Sequence, residues 1–249
     1  MQLDFQRGLR GRMDTLTAVA IVAGTVASYA VAWLFGVPLL VPLLNTAASF
    51  PFMVLAVERG DLRLAIARML IWAMTLGVCA TSLSYRYPAA TDVMFLRGAS
   101  YRTEMFAWVL TGRGAESSPS VFIPQQAGHA ALFVCLSIAT GGVAAMPMGA
   151  MLMNYMGHYA GTLAASSAHP ATTIVLAWHP WAVIRVISFV ILGVVLSMPL
   201  LSRIVGFKVD WRAARSSITI AAGGLALDIA LKWLLAPTWQ RWLLRTVGW

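Results

Sequence analysis

Long apolar runs separated by short polar segments are the dominant pattern of the chain. A helix needs about 20 mostly apolar residues to cross roughly 30 Å of hydrocarbon. By that measure the sequence predicts seven transmembrane helices, at residues 15–34, 38–57, 63–84, 127–145, 148–165, 181–201 and 216–235. The predicted fold class is therefore all-α, with residues 1–249 forming one polytopic transmembrane helix bundle.

Two further segments lie outside these runs. Residues 85–126 are the one long polar stretch and are predicted to be an outer loop. Aromatic and apolar residues between Asp92 and Gly112 predict a short amphipathic helix within it, lying on the membrane surface. Residues 237–249, which contain three Trp and two Arg, predict an interfacial tail.

Composition excludes a water-soluble fold. The chain has 59% hydrophobic and only 11% charged residues, whereas a soluble domain carries roughly a quarter charged residues. Its formal charge of +9 does not indicate nucleic-acid binding, because the basic residues occur singly or in small groups between apolar runs. The lipid bilayer is the expected partner, together with other membrane protein subunits.

Basic residues also predict the orientation, since cytoplasmic connectors carry an excess of Lys and Arg. The short outer connectors 36–37 and 166–180 hold no Lys or Arg, whereas residues 85–126 are an exception with four Arg. We therefore expect a multi-pass protein of the bacterial cell inner membrane, with its N-terminus inside and C-terminus outside. The basic residues on the inner side are then Arg7, Arg10, Arg12, Arg59, Arg63, Arg68, Arg203, Lys208, Arg212 and Arg215.

The strongest candidate for chemistry is a charged pair, Asp228 and Lys232, in the seventh predicted span. Their spacing of four places both on one face of a helix. Charged groups at membrane depth are rare and mark candidate functional sites, because they are costly unless paired or hydrated. Arg185, His158 and His129 fall in the same outer half, which predicts an intramembrane polar cluster. Asp228 is expected to be ionised and paired, either with Lys232 on its own helix or with Arg185 in the sixth predicted span. A structural ion pair and a functional site both remain open.

Histidine and methionine residues raise the question of a cofactor. His129, His158, His169 and His179 match no haem or metal motif. A methionine-rich run ends at Met156 and permits a weaker Cu(I) hypothesis with Met148, Met151 and His158 as ligands, but packing between helices is the favoured use. The cofactor is therefore unknown and no metal is predicted. Gly157 and Gly161 form a small-residue pair typical of close helix packing.

Catalytic signatures are absent from the sequence. It contains no Gly-x-Ser-x-Gly elbow, no phosphate-binding Gly loop with Lys, and no paired acidic residues within a span. We therefore predict that the protein is not an enzyme.

One segment, residues 125–204, resembles the membrane region of the stage II sporulation protein M family. The resemblance rests on a small-residue-rich helix, Asn154 followed by Gly157, and His179 opening a later helix. Pro180 stands where that family has Gly after the His. The resemblance implies a non-enzymatic multi-spanning protein that acts within a larger membrane assembly.

The sequence thus favours a structural or scaffold subunit of a larger membrane complex. The alternative is a small-molecule or ion permease that uses Asp228, Lys232 and Arg185. A further alternative is a membrane subunit that binds haem, a pigment or copper. Neither the substrate, nor the partner, nor the oligomeric state follows from the sequence.

Overall fold

Helices account for nearly all of the described chain. The structure is a computed structural model that describes the backbone of residues 2–248 and the side chains of residues 13–248. That part of the chain contains a 3-10 turn, Ala115–Ser117, and no strand. Its helices are α1 Gln2–Phe35, α2 Leu40–Ala47, α3 Phe50–Glu58, α4 Leu62–Arg86, α5 Pro88–Met94, α6 Gly98–Thr111, α7 Pro119–Thr140, α8 Ala145–Ala165, α9 Pro170–Ala177, α10 Pro180–Val205 and α11 Trp211–Val247.

Six stretches of helix among the described residues are long and apolar enough to cross a membrane. They are Met13–Phe35, Leu40–Glu58, Leu62–Arg86, Pro119–Thr140, Pro180–Val205 and Trp211–Val247. The predictions of an all-α bundle and of a multi-pass membrane protein are confirmed at this level. The helix α8 is not among the six, and its polar residues, such as Asn154 and His158, account for its lower apolar character.

Glycine allows α8 to approach α4 closely. A Cβ atom added to Gly157 would lie 2.5 Å from the Cβ of Ala80, and one added to Gly161 would overlap the backbone carbonyl of Thr81. Most of α8 is buried by its neighbours. Its surroundings are therefore mainly protein, and it does not need the apolar surface that lipid requires.

Side-chain contacts along each helix pair give the directions of the helices. Gly157 meets Ala80 and Gly161 meets Ser84 four residues later, so α4 and α8 run parallel. The helices α7 and α10 also run parallel, since Gly193 approaches Phe133 and Gly141 approaches Leu201. The tight turn 141–144 reverses the chain between α7 and α8, and α11 runs antiparallel to α10.

Residues 85–126, expected to be an outer loop, are mostly helical. They contain α5, α6, the 3-10 turn and the first turns of α7. Met105, Trp108 and Val109 of α6 are buried among residues of α8 and α11. Burial of these side chains against the bundle holds α6 in place.

The expected interfacial tail, 237–249, is the continuation of α11. That helix passes through Pro237 and ends at Val247, while Trp249 lies outside the described residues. Ala236, Gln240 and Leu243 are buried on one face of this extension. The buried face compensates for the backbone hydrogen bond that a proline inside a helix removes.

The turn between the fourth and fifth predicted spans also differs from the prediction. The predicted spans 127–145 and 148–165 place it at residues 146–147, but Pro147 lies in the first turn of α8, where proline is tolerated. The chain reverses instead at Gly141 and Gly142, whose φ angles of 58° and 90° suit residues without a Cβ atom.

Candidate functional site

A cavity of about 220 Å³ lies between α4, α7, α8, α10 and α11. It is polar near the first turns of α7 and α10 and apolar toward the first turns of α4 and α8. We call the polar part the charged end, formed by Glu116, Gln126, Arg185, Asp228 and Lys232. The apolar end is lined by Met53, Met69, Trp72, Phe133, Met146 and Phe189.

The first ion pair of the charged end joins α10 to α11. Arg185 Nε donates to Asp228 Oδ2 at 2.8 Å, and Arg185 Nη2 donates to Asp228 Oδ1 at 3.0 Å. The side-chain amide of Gln126 also donates to Asp228 Oδ2. The Asp228 side chain is 0% exposed, so these three hydrogen bonds compensate the carboxylate for its lost hydration.

The second ion pair joins α11 to the 3-10 turn. Lys232 Nζ donates to Glu116 Oε1 at 2.8 Å and lies 4.6 Å from the centre of the Phe122 ring. Burial raises the pKa of the Glu116 carboxyl, but the nearby charges of Lys232 and Arg185 outweigh burial, and the net pKa is lowered from its ordinary value of 4.5. Glu116 therefore stays ionised beside Lys232.

The sequence offered two partners for Asp228, Lys232 on its own helix and Arg185 in the sixth predicted span. The structure shows the pairing with Arg185, which binds both oxygens of Asp228. Lys232 pairs instead with Glu116 of the 3-10 turn. Glu116 and Gln126 were missed, since they belong to the polar segment expected to be a loop. A glutamate three residues before a helix that begins with proline carries no periodic signal that would place it beside a cavity.

His129 lies at this site and His158 does not. His129 is half-buried and lines the cavity. His158 is 0% exposed and belongs to a separate chain of contacts, in which its Nδ1 lies 3.0 Å from Ser84 Oγ and its Nε2 lies 2.9 Å from Asp92 Oδ1. Arg102 Nη1 binds the other oxygen of Asp92 at 2.9 Å.

This second cluster, Ser84, His158, Asp92 and Arg102, contains the residue types of a hydrolytic triad. Its serine is 0% exposed, however, and it does not line the cavity. A nucleophile must reach its substrate to react. The geometry is therefore better suited to linking α5 and α6 to the α4–α8 pair than to catalysis.

Asn154, which carries part of the family resemblance, belongs to a third polar network. Its side-chain amide donates to Asn45 Oδ1 at 3.0 Å and its carbonyl accepts from the Tyr29 hydroxyl. Asn45 in turn accepts from the Trp72 indole through its backbone oxygen, at 2.9 Å. The network joins α1, α2, α4 and α8 behind the apolar end of the cavity.

His179, the other residue of the resemblance, is 1% exposed and stacks on Trp181 with the ring centroids 4.6 Å apart. Burial lowers its pKa to about 3, although the charge of Glu116 opposes this change. The ring is therefore neutral at physiological pH. His169 lies just before α9 and is exposed.

The described residues contain no group of three or more His, Cys, Asp or Glu side chains that could hold a metal ion. Among the methionines of the run, Met146, Met153 and Met156 line the cavity, but Met148 and Met151 do not. Both ring nitrogens of His158 already have partners. These contacts compete with the copper coordination considered from the sequence.

Comparisons of this chain with protein-family models, curated proteins and solved structures find no match. The resemblance of residues 125–204 to the stage II sporulation protein M family therefore stays a prediction.

Proposed function

We propose that the protein is a non-enzymatic permease of the bacterial inner membrane that binds its substrate in the central cavity. The observation that supports this function is the charged end, where two ion pairs link α10, α11 and the 3-10 turn at one end of a mostly apolar cavity. Charges of this kind within a membrane protein typically mark substrate or ion pathways.

The permease has seven spans, namely the six apolar candidates and, in addition, α8. At 21 residues α8 is about 30 Å long, which is enough to cross the hydrocarbon. If α8 did not cross, the connector with Arg203, Lys208, Arg212 and Arg215 would lie on the opposite side from the basic connectors near the N-terminus. The positive-inside rule therefore favours seven spans with the N-terminus inside and the C-terminus outside.

In this proposal the two ion pairs form a gate. Arg185 and Asp228 hold α10 against α11, while Glu116 and Lys232 hold the segment before α7 against α11. Separation of the pairs would let the beginning of α7 move away from α11 and open the cavity toward the side of α5 and α6. A gate of this type needs contacts that can form and break, which ion pairs at the edge of a cavity provide.

Accessibility of a cysteine inside the cavity tests the gate. In a variant whose natural cysteines, Cys79 and Cys135, are replaced by Ala, a cysteine is introduced as Ala130→Cys on the cavity wall. We expect slow reaction with a membrane-impermeant thiol reagent, and at least several-fold faster reaction when Asp228→Asn and Arg185→Gln are added. The matched control is Gly128→Cys, on the exposed face of the same helix, whose reaction should not change.

A scaffold subunit, the role favoured by the sequence, predicts a different result. Loss of the ion pair would then disturb assembly with partner subunits and leave the reactivity of Ala130→Cys unchanged. Unchanged reactivity in a folded double variant would reject the gate.

A further inference from the structure

We infer that the cavity takes an uncharged amphipathic molecule with an oxygen-bearing head and a single hydrocarbon tail, the head at the charged end and the tail toward the apolar end. This inference rests on the proposed function and adds the chemical class of the substrate. The balance of charge, the free edge of Arg185 and the lining of the apolar end support it independently.

The charges lining the cavity cancel. Arg185 and Lys232 are each paired with a carboxylate, at closest distances of 2.8 Å, and among the residues whose side chains the structure describes, no other Asp, Glu, Lys or Arg lines the cavity. A charged head would have to enter beside a completed pair or displace one partner of it. Either change leaves a buried charge without compensation, which is strongly unfavourable. An uncharged head avoids this cost.

Arg185 nevertheless retains capacity to donate hydrogen bonds. Asp228 accepts from Nε and Nη2, while none of the described residues accepts from Nη1. The Arg185 side chain is 26% exposed, although its partner Asp228 is 0% exposed. The guanidinium therefore has an open edge that can bind an oxygen acceptor, such as a hydroxyl or a carbonyl, without loss of the ion pair.

The remainder of the cavity suits one hydrocarbon chain. Five flexible methionines and several aromatic rings line it beyond the charged end, and methionine adapts well to irregular apolar shapes. Its volume of about 220 Å³ is below the range of about 300–1,000 Å³ found for drug-sized ligands. A phospholipid with two full acyl chains exceeds this space, and a single medium-length chain fits it better.

Photolabelling with three matched probes tests the ligand class. Each probe has the same medium-length alkyl chain with a terminal diazirine, and the heads are a hydroxyl, a carboxylate and a trimethylammonium group. The purified full chain in nanodiscs is labelled with each probe, and the modified peptides are located by mass spectrometry. We expect the hydroxyl probe to label cavity-lining residues of α7, α8 and α10 several-fold more than the charged probes do.

Two variants separate the cavity from the lipid surface. Gly149→Leu fills the apolar end, since a Cβ atom at Gly149 meets only Phe133, at 3.6 Å, and should reduce labelling by the hydroxyl probe at least several-fold. The matched control Gly128→Leu adds the same side chain where no atom lies within 4 Å of the added Cβ, and should leave labelling unchanged. Ala130→Phe fills the cavity from α7 if Gly149→Leu does not fold.

The outcomes distinguish this inference from the proposed gate. Equal or stronger cavity labelling by a charged probe overturns the ligand class, and so does hydroxyl-probe labelling that persists in both filled variants. Neither result changes the thiol accessibility on which the gate depends. The gate can thus survive a wrong assignment of the ligand.

Discussion

Asp228 is the most completely coordinated charge in the described part of the cavity. It accepts two hydrogen bonds from Arg185 and one from Gln126. Loss of one partner would leave the other charge buried and unpaired, whereas loss of both would leave an apolar contact. Each single substitution should therefore destabilise the protein more than the double substitution does.

The first prediction compares these substitutions. Arg185→Leu or Asp228→Leu alone should destabilise the protein by about 3–5 kcal/mol, as for buried pairs in soluble proteins, and the double Leu variant should recover much of that loss. The fraction of monodisperse protein after heating in mild detergent measures the effect. Glu104→Gln, an exposed acidic residue of α6, is the control and should change little. A double variant no more stable than either single one would contradict the pairing.

The second prediction concerns pH. The pKa of Glu116 is lowered in the folded protein by the charges of Lys232 and Arg185, which outweigh the opposing effect of burial. Its stabilising contribution is therefore complete above the ordinary value of 4.5 and is lost as the pH falls through the lower folded value. Thermal stability of the wild type should decline over that range. In Glu116→Gln the decline should be smaller. An identical decline in both proteins would show that Glu116 does not cause the loss of stability.

Residue pairing is the part of the site that the sequence supplies only in part. A spacing of four correctly places Asp228 and Lys232 on one helix, and Arg185 is one of the two partners predicted for Asp228. The observed partners, Arg185 and Glu116, are 43 and 116 positions away from Asp228 and Lys232. Such distant pairs depend on how whole helices pack, and no local pattern in the sequence shows that packing. The charged site could be predicted from its cost in a membrane, but the choice of Arg185 over Lys232 and the pairing of Lys232 with Glu116 could not.

At the scale of elements, the length of the apolar runs predicted the long helices well. Tertiary packing explains the helices that this measure missed. The helix α6 lies within the segment where a short amphipathic helix was predicted, whereas α5 is hidden in the polar stretch because its buried side chains are few. The helix α11 extends through Pro237 because its buried face continues to Val247. In both cases contacts with α8, α9 or the 3-10 turn outweigh the local signal.

The third prediction tests the α4–α8 contact. Gly161→Ala should destabilise the bundle strongly, because the new Cβ atom would overlap backbone atoms of α4, which cannot move as a side-chain end can. Gly128→Ala is the matched control, since open space surrounds the added Cβ atom and alanine favours a helix over glycine by about 1 kcal/mol. Detergent stability should fall for the first variant and hold or rise for the second. Equal behaviour would mean that the two helices do not pack this closely in the membrane.

At the scale of the whole molecule, the position of α8 determines the topology. The described residues contain six clearly apolar candidate spans. The mostly buried helix α8 is too polar to be recognised as a span from its hydropathy alone. Helix direction adds information that composition lacks. The tight turn 141–144 sends α8 back along α7, parallel to α4, so that it would cross the membrane together with α4.

The last prediction places the two ends of α8 on opposite sides of the membrane. In the variant without natural cysteines, Val143→Cys lies before α8 and Ala171→Cys follows it, and both positions are exposed. An impermeant maleimide added to intact inner-membrane spheroplasts should label Ala171→Cys and leave Val143→Cys unlabelled until the membrane is broken. Lys208→Cys is the inner reference and Arg113→Cys the outer one. Labelling of positions 143 and 171 from the same side would reduce the bundle to six spans, and it would place the basic connector 203–215 outside, against the charge rule on which the orientation rests.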